Sequence, residues 1–468
     1  MGGEWQSTTI GEHFDLVNGY AFKSKEFLSK GVPVIKIKNV KAGYFSEHGF
    51  SYVASYFLTK RKDKLAKPGD LLITMSGNRH DGSPSTWVGK VAYFDKTDPF
   101  FINQRVGALR LKSESEIVIS RRFMAYLLSS WYFQELFISI ATSSGGQANI
   151  SPAQILSAPF KAPLYTEQRA IAHILGTLDD KIELNRQMNR TLEAMAQALF
   201  RSWFIDFDPV VVNALHAGNP VPEKFAQRAA HYRDNPDALR LPEDTLRLFP
   251  DRFRDSELGP IPEGWEVKPI GDLVKCVGGA TPSTKKPEFW EGGTNPFLTP
   301  KDMASLDSPV VLDTERHITD AGVEKISSKK LPIGTVLLSS RAPIGYLAIN
   351  EVPVSVNQGI IAMICDGPLP NHYVFFWTKN NMDVIKGKAG GTTFAEISKK
   401  NFRPIPALQP SEKVLDAFTS MAGLLYQQLV ENTVSCVTLA KLRDTLLPKL
   451  VSGELRVPDA EKLVEDAS

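Results

Sequence analysis

The chain has 468 residues, of which 43% are hydrophobic and 23% are charged, a composition that is typical of globular proteins and excludes long disorder. Its length predicts roughly two to four domains, and no apolar run approaches the ~18 residues that a membrane span requires. The net charge of +2 is weak evidence for a nucleic-acid ligand, so any DNA-binding cations must be concentrated on one surface. Three widely separated cysteines, Cys276, Cys365 and Cys436, favour a reducing, cytoplasmic compartment.

An internal repeat of two long copies organises the chain. The matching residues recur in the same order: Trp5 and Trp265, Ile10-Gly11 and Ile270-Gly271, Asn103-Gln104 and Asn357-Gln358, Ile150-Ser151 and Ile397-Ser398. The offset between the copies shrinks from 260 to 254 to 247 residues. An ordered series of this kind predicts the same fold twice, with shorter loops in the second copy.

Each copy begins with a domain of strands and loops, predicted at 1–160 and 263–408. Strand-like apolar runs occur at 34–37 and 70–74 and, in the second copy, at 334–338, where glycine and proline bound them. Short helices are predicted at 120–139 and 372–386.

A long helix follows each domain, at 167–204 in the first copy and 247 residues later in the second. Apolar positions spaced alternately by three and four predict a coiled-coil seam, within helical regions 161–208 and 409–456. The seam residues are Leu178, Ile182, Asn185, Leu425, Leu429 and Asn432. If the helices are antiparallel, Asn185 and its copy Asn432 are predicted to meet and fix the register. An alternative is that the asparagines only mark the end of a shorter apolar stripe.

Seven prolines lie in the stretch 213–262 between the copies. Because prolines interrupt helices and central strands, the region 209–262 is predicted to be an irregular surface linker with short helical turns near 224–231. A tail at 457–468 follows the second helix. The predicted fold is α+β, with two repeated mixed-sheet domains joined by two long antiparallel coiled-coil helices that have pseudo-twofold symmetry.

These motifs resemble those of type I restriction–modification specificity subunits over nearly the whole chain. The second copy carries Gly-Gly-Ala-Thr-Pro-Ser at 278–283, Ser-Ser-Arg-Ala-Pro-Ile-Gly at 339–345 and Val-Asn-Gln-Gly at 356–359, which are similar to the family's target recognition domain. Leu-Phe-Arg-Ser-Trp-Phe at 199–204 and the segment 446–455 are similar to its two conserved regions. One departure is Pro410-Ser411-Glu412-Lys413, where the family has an acidic–acidic–Gln helix start.

The resemblance implies a DNA-specificity subunit that acts in phage defence and catalyses nothing itself. Each target recognition domain would read one half of a split double-stranded DNA target. The helices would set the spacing and bind two modification subunits, the adenine-N6 methyltransferases, and two restriction subunits would add translocation and cleavage. S-adenosylmethionine, ATP and Mg are then expected on those partners, with no cofactor or metal on this chain.

Candidate DNA-binding residues lie in polar loops and on lysine clusters, because arginine and lysine pair with guanine, asparagine and glutamine with adenine, and lysine with phosphate. In the first domain they are Lys36, Lys38 and Lys41, taken to alternate along a strand edge, and Asn78, Arg79, His80 and Gln147. In the second domain they are Thr281, Ser283, Lys285, Lys286, Lys301, Ser340, Arg341, Thr392 and Thr393. The structural alternative is a solvated polar loop at 76–80, a plain solvated face for each lysine, pairing with a local carboxylate for Arg341, and a simple turn for the glycine-led loops of Gln147, Thr392 and Thr393.

No catalytic set is evident in the sequence: a phosphate-binding glycine loop, zinc-ligand spacing and a methyltransferase signature are all missing. A nuclease-like pattern, Asp251 followed by Glu266 and Lys268, falls between the linker and the second copy and has no equivalent in the first. Asp179 and Asp180 are expected to be solvated or to face a partner. Besides the nuclease, a coiled-coil scaffold that binds only proteins is the remaining alternative.

Overall fold

A computed structural model describes residues 5–47, 49–80, 86–113, 118–144, 147–390 and 395–465. The chain divides into two compact units: unit 1 consists of Met1–Ile182 with Val437–Ser468, and unit 2 of Glu183–Cys436. Each unit therefore contains one copy of the repeat and a stretch of both long helices.

The first copy is a domain of short strands and helices that leads into a long helix. Its strands are β1 Gln6–Thr9, β2 Phe14–Asn18, β3 Phe27–Leu28, β4 Val32–Ile35, β5 Ser51–Val53, β6 Leu71–Thr74, β7 Ser76–Gly77, β8 Val91–Tyr93, β9 Phe101–Ile102, β10 Val106–Leu111, β11 Thr142–Ser144, β12 Gln147–Asn149 and β13 Pro159–Ala162. Its helices are α1 Ile10–His13, α2 Phe57–Lys60, α3 Arg121–Ser129, α4 Trp131–Ile140 and α5 Pro152–Leu156, followed by the long helix α6 Tyr165–Phe204.

The strands of this domain form small mixed sheets. The order β2-β10-β6-β8 is antiparallel throughout, whereas in β3-β5-β4-β9 the pair β4–β9 is parallel. All four residues of β6 are buried, which explains why 71–74 is a continuous apolar run and not an alternating one. The predicted strand at 34–37 ends at Ile35, because the Asn39 side chain accepts a hydrogen bond from the Lys36 backbone N–H at 3.0 Å and closes a 3₁₀ turn.

The segment between the copies contains the helices α7 Asp208–Ala217, α8 Ala226–Asp234 and α9 Glu243–Leu246 and the strands β14 Phe253–Arg254 and β15 Ile261–Pro262. The prediction of an irregular surface linker is wrong, although a helical turn near 224–231 is confirmed by α8. Val210, Val211 and Phe225 belong to the main core of unit 2. Several prolines stand at helix starts, where the missing N–H costs nothing: Pro209 lies in the first turn of α7 and Pro242 precedes α9.

The second copy repeats the plan of the first. Its strands are β16 Glu266–Pro269, β17 Lys275–Gly278, β18 Asn295–Leu298, β19 Val310–Val311, β20 His317–Ile318, β21 Val336–Ser339, β22 Leu347–Asn350, β23 Ser355–Val356, β24 Ile360–Ile364 and β25 Pro406–Gln409. Its helices are α10 Ile270–Leu273, α11 Pro300–Ala304, α12 Asp320–Val323, α13 Asn371–Asn380, α14 Met382–Gly387 and α15 Lys399–Phe402. The long helix α16 Glu412–Ser452 and the short α17 Val457–Glu465 follow.

The strand connections of the two copies correspond. The order β17-β24-β21-β22 matches β2-β10-β6-β8, and the parallel pair β18–β23 matches β4–β9. The repeat and the mixed sheets predicted from the sequence are confirmed. Glycine is required at one equivalent place in both, because a Cβ at Gly19 or Gly279 would lie 2.1 Å or 1.6 Å from a backbone carbonyl oxygen.

The predicted helix seam exists. Leu178, Ile182 and Leu429 are buried and Leu425 is half-buried. In unit 2 the stretches of α6 and α16 are antiparallel, since Phe200 packs on Phe418 while Asn189 contacts Asn432.

The predicted contact between Asn185 and Asn432 is wrong, because each of the two asparagines bonds a different residue. Asn432 donates to the Asn189 side-chain oxygen at 3.0 Å, and Asn185 donates to the Ser435 hydroxyl at 3.1 Å. Equivalent residues of two antiparallel copies meet only at the point where the copies cross. That point lies between Asn185 and Asn189, so each asparagine contacts a residue one turn away from its own counterpart.

Asp179 is also not solvated, contrary to the prediction. In unit 1 its carboxylate accepts hydrogen bonds from the Tyr126 hydroxyl at 2.6 Å and from the Arg443 guanidinium at 2.7 Å. Burial raises the pKa of Tyr126, so the hydroxyl stays protonated and donates. Asp179 thus joins α3, α6 and α16 in one polar contact, while its neighbour Asp180 pairs with Arg122 in an exposed ion pair.

Candidate nucleic-acid interface

The first predicted DNA-reading loop, at 78–80, is bonded within its own domain. Asn78 donates to the Thr86 hydroxyl at 3.1 Å, and the Arg79 guanidinium donates to the Ala141 carbonyl oxygen. The His80 ring packs edge-on against Trp87, and its Nε2 lies 3.3 Å from a Glu135 carboxylate oxygen. Arg79 is half-buried and supports the junction of α4 and β11, so it is not the solvated residue of the structural alternative, whereas His80 is exposed.

Lys36, Lys38 and Lys41 do not alternate along a strand edge, because β4 ends before Lys36. The Lys36 ammonium donates to the Ser51 hydroxyl at 2.8 Å and lies 4.0 Å above the Phe27 ring. Burial, and then the neighbouring charge of Lys38, lower the pKa of Lys36. Lys38 is the exposed member of the set and the better placed to contact a phosphate, while Lys41 is half-buried.

In the second domain a rigid turn carries Arg341. The Ser339 hydroxyl donates to the Pro343 carbonyl oxygen at 2.8 Å and accepts from the backbone N–H groups of Gly345 and Tyr346 at 3.1 and 2.8 Å. These three bonds hold the turn in one conformation. Ser340 is buried, and it is the backbone groups of Ser340 that form hydrogen bonds at this turn.

The guanidinium of Arg341 remains accessible. Its Nη1 lies 3.7 Å from a Glu396 carboxylate oxygen, and both side chains are more than one third exposed, so the pair is weak. A ligand that offers two acceptors in closer, bidentate geometry, such as a phosphate or the O6 and N7 atoms of guanine, can compete for this arginine.

The turn of Arg341 lies beside a second polar loop. The Ser340 N–H donates to the Gly359 carbonyl oxygen at 2.8 Å, and the preceding residue, Gln358, accepts a hydrogen bond from the exposed Thr281 hydroxyl at 2.7 Å. The structure therefore brings Thr281, Gln358 and Arg341 to one surface. Gln358 is not among the DNA-binding candidates named from the sequence, where it is only a matching residue of the two copies, and no local signal distinguished it.

The remaining candidates are scattered over other contacts. Ser283 accepts from the Trp290 indole N–H through its backbone carbonyl, Lys286 lies 3.4 Å from Glu288, and Lys301 lies 2.7 Å from Glu315. Lys285 is exposed, and Gln147 is half-buried on β12. The predicted sites Thr392 and Thr393 lie outside the described residues.

In the nuclease alternative, the carboxylate of Glu266 is already paired with a neighbouring lysine. Glu266 is exposed on β16, and its carboxylate lies 2.6 Å from the Lys268 ammonium, which lowers the pKa of Glu266. Within the described ranges there is no cluster of three or more histidine, cysteine, aspartate or glutamate side chains that could hold a metal ion. Nor does any helix of those ranges have the length and apolar character to cross a membrane.

Comparison with known families defines the class of this protein. A model described as the type I restriction modification DNA specificity domain matches residues 2–194 and again residues 262–419. Since the two matches cover well over half of the chain, the chain belongs to the family of type I restriction–modification specificity subunits.

Individual relatives agree with that assignment. The chain is 29% identical over 361 residues to the type I restriction enzyme HindI specificity subunit of Haemophilus influenzae, covering 72% of this chain and 78% of that protein. It is 35% identical over 188 residues to the MjaIX specificity subunit of Methanocaldococcus jannaschii, covering 39% and 43%. A solved type I S subunit from M. genitalium is 16% identical, with a TM-score of 0.48 over 95% of this chain and 96% of that one.

Proposed function

We propose that this chain directs a type I restriction–modification complex to its DNA target and catalyses no reaction itself. The observation that carries the proposal is the double match of the DNA specificity domain, once in each copy of the repeat. Two related domains in one chain fit a bipartite target, in which each domain reads one half of the double-stranded site.

In the second domain, the surface of Thr281, Gln358 and Arg341 supports base reading. An accessible guanidinium on a rigid turn suits bidentate contact with guanine, and an amide suits adenine. In the first domain, Lys38 and His80 are the most accessible of the candidates. Lysines 285, 286 and 301 lie on exposed surface and suit phosphate contacts, which position the domain without specifying sequence.

The long helices support the binding of other subunits. Large apolar side chains are exposed along α6 and α16: Leu184, Met188, Met195, Met421, Leu424, Val434 and Val437. Exposed apolar stripes on otherwise packed helices are typical of protein interfaces. We assign these stripes to two modification subunits, with two restriction subunits completing a cytoplasmic complex. S-adenosylmethionine, ATP and Mg then belong to the partner subunits.

The test is a methylome of cells that express this chain with its modification subunit, beside the variant Arg341→Ala. Wild type is expected to give adenine methylation at a split motif. Because a bidentate arginine–guanine contact contributes ~1–3 kcal/mol of discrimination, the variant should lose or relax one half of the motif by roughly 5-fold to 150-fold. The other half should stay unchanged.

Arg247→Ala is the matched control. Arg247 is an exposed residue directly after α9, and its side chain pairs only with Glu243 among the described residues. It should leave both half-sites intact. Absence of any methylation that depends on this chain, with the modification subunit shown to be active, would contradict the proposal and favour a protein-binding scaffold.

A further inference from the structure

The ends of strands β6 and β21 have the same hydrogen-bond pattern in the two copies. After β21, the Ser340 N–H donates to the Gly359 carbonyl oxygen at 2.8 Å. After β6, the Met75 N–H donates to the Arg105 carbonyl oxygen at 2.9 Å. The two acceptors are 254 residues apart, which is the offset that relates the Asn-Gln pairs of the two copies. Arg105 in unit 1 is therefore the structural counterpart of Gly359 in unit 2.

The same register identifies Ser76 as the counterpart of Arg341. Arg341 forms an antiparallel β-bridge with Glu396, and Ser76 forms the equivalent bridge with Asn149. In unit 1 this pair is neutral and bonded internally, because the buried Ser76 hydroxyl donates to the Asn149 side-chain oxygen at 2.6 Å. Arg79 lies three residues further along the chain, so it is not the counterpart of Arg341.

Each copy has an arginine at one of these two neighbouring positions. A Cβ at Gly359 would lie 3.4 Å from the Nε atom of Arg341, so the Arg341 side chain lies beside the space that a side chain at 359 would enter. In unit 1 the position of Arg341 has the short Ser76, and the position of Gly359 has Arg105. The two copies thus bring a guanidinium to equivalent places from two different points of the backbone.

Arg105 is exposed, and the turn that carries it is held by backbone hydrogen bonds. The Val106 N–H donates to the Asn103 carbonyl oxygen at 2.9 Å, and the Gln104 N–H donates to the Tyr20 carbonyl oxygen at 3.0 Å. Among the described residues, the Arg105 guanidinium has neither an ion pair nor a hydrogen bond. A guanidinium without internal partners on a rigid turn keeps all five of its N–H donors for a ligand.

The preceding residue, Gln104, adds an exposed amide to the same turn. Its counterpart Gln358 accepts a hydrogen bond from the Thr281 hydroxyl at 2.7 Å. At the offset of 260 residues the counterpart of Thr281 is Ala21, which has no hydroxyl to donate. The Gln104 side chain has no hydrogen-bond partner in the part of the chain that the structure describes. Arginine and glutamine are the residue types that read guanine and adenine in the major groove.

We propose that Arg105 is a specificity-determining residue of the first domain and reads a guanine in the half of the DNA target that unit 1 contacts. Two N–H groups of its guanidinium donate to O6 and N7 of that base, and Gln104 lies next to it for a neighbouring base pair. Residues that both copies share suit phosphate contacts common to the two halves, whereas Arg105 has no arginine at its counterpart. This inference rests on the proposed function, because it requires that the chain reads a bipartite DNA site.

The test is the methylome of cells that express the full chain with its modification subunit, with Arg105→Ala and Arg105→Lys beside wild type. Discrimination at one guanine should fall by roughly 5-fold to 150-fold, in the half-site that Arg341→Ala leaves unchanged. Arg105→Lys should relax the same position, because an ammonium keeps the charge but loses the bidentate geometry. Since Arg105 is exposed, neither change removes a packed side chain.

Arg121→Ala is the matched control and should leave both half-sites intact. Arg121 is an exposed arginine of unit 1 without an ion pair among the described residues. Its guanidinium lies against Gly69, which precedes β6 and is therefore at the opposite end of that strand from Arg105.

Three results would overturn the inference: an unchanged motif in Arg105→Ala, a change in the same half that Arg341→Ala affects, or a uniform loss of methylation that Arg105→Lys restores. The last result would identify a phosphate contact instead of base reading. Wild-type methylation at a split motif leaves the proposed function standing in all three cases. Its absence, with the modification subunit shown to be active, overturns the proposed function and this inference with it.

Discussion

His372 is a half-buried residue of α13 whose two ring nitrogens are enclosed by protein. Its two nitrogens have no hydrogen-bond partner among the described residues, and its ring packs edge-on against Tyr426 at 4.9 Å. Burial lowers the pKa of His372 to about 4. The ring is therefore neutral in the folded protein at pH 7, and protonation would place an unpaired charge in the core of unit 2.

This shift makes the stability of unit 2 depend on pH. In the unfolded chain His372 titrates near its ordinary pKa of about 6.5, so the unfolded state binds a proton first as the pH falls. Stability is constant above pH 6.5, decreases between pH 6.5 and 4, and should lose about 1 kcal/mol by pH 5.5. Hydrogen exchange of the α13 amides at pH 7.5 and 5.5, corrected for the intrinsic exchange rates, measures the effect.

His372→Phe should abolish that component of the pH dependence, because phenylalanine does not titrate. His173→Gln, at an exposed histidine of unit 1, is the control and should leave it in place. Equal pH dependence in wild type and His372→Phe would show that other groups are responsible.

The candidate DNA contacts show which features of single residues the sequence alone does not predict. Arg79 follows a strand in a polar loop, as a base-reading arginine would, yet it bonds the Ala141 carbonyl, 62 residues away in sequence. Arg341 was predicted by the same logic and is accessible on its turn. The two positions look alike in sequence, and only the long-range contacts separate them.

We expect the buried pair of Asn189 and Asn432 to set the register of the helices. Asn432→Leu would leave the side-chain oxygen of Asn189 without its donor in a buried seam, which should cost about 1–3 kcal/mol in the free energy of unfolding, while the Asn189 amide N–H keeps its bond to Thr433. The double variant Asn189→Leu/Asn432→Leu should recover most of that loss and at the same time permit slippage. Denaturant unfolding compares the stabilities.

Slippage has its own readout. Spin labels at the exposed positions of Leu184 and Leu424 should give one distance in wild type and a broadened distribution in the double variant. Leu424→Ala, on the outer face of the same helix, should not change the unfolding free energy by more than a few tenths of a kcal/mol. A single sharp distance in the double variant would mean that the apolar seam alone fixes the register.

Long periodic elements were predictable and the segment between the copies was not. The apolar spacing placed the first long helix at 167–204, and it is observed at Tyr165–Phe204. The prolines of 213–262 were interpreted as breakers, but Pro236 and Pro242 stand at the starts of helical turns. Proline density alone does not distinguish a loop from a series of short helices, because its effect depends on its position within the turn.

At the scale of the whole molecule, the sequence predicts the repeat, because the matching residues keep their order when loops change length. The sequence does not predict the division into two units, because that division depends on which stretches of the long helices pack together. Unit 1 needs residues from both ends of the sequence given, and the Asp179–Arg443 contact links them at 2.7 Å.

A chain that stops after residue 436 should therefore fold unit 2 and leave the first domain exposed along α6. Limited proteolysis should cleave such a chain near 165–182, where Ile171, Leu175 and Leu178 are buried in the 468-residue chain, while 183–436 persists. A chain that stops after residue 456 keeps α16 and should resist as the full chain does. Equal resistance of both truncated chains would show that residues 437–456 do not hold unit 1 together.

The discontinuity of unit 1 also has a consequence for synthesis on the ribosome. Unit 2 is one continuous stretch and can fold as it emerges, but the first domain must wait for residue 437 and beyond to complete its helix pair. At ~5–20 residues per second, the 254 intervening residues take from roughly ten seconds to about a minute. During that time the nascent chain displays the apolar stripe of 171–178, so we expect a chaperone to bind there before the seam closes.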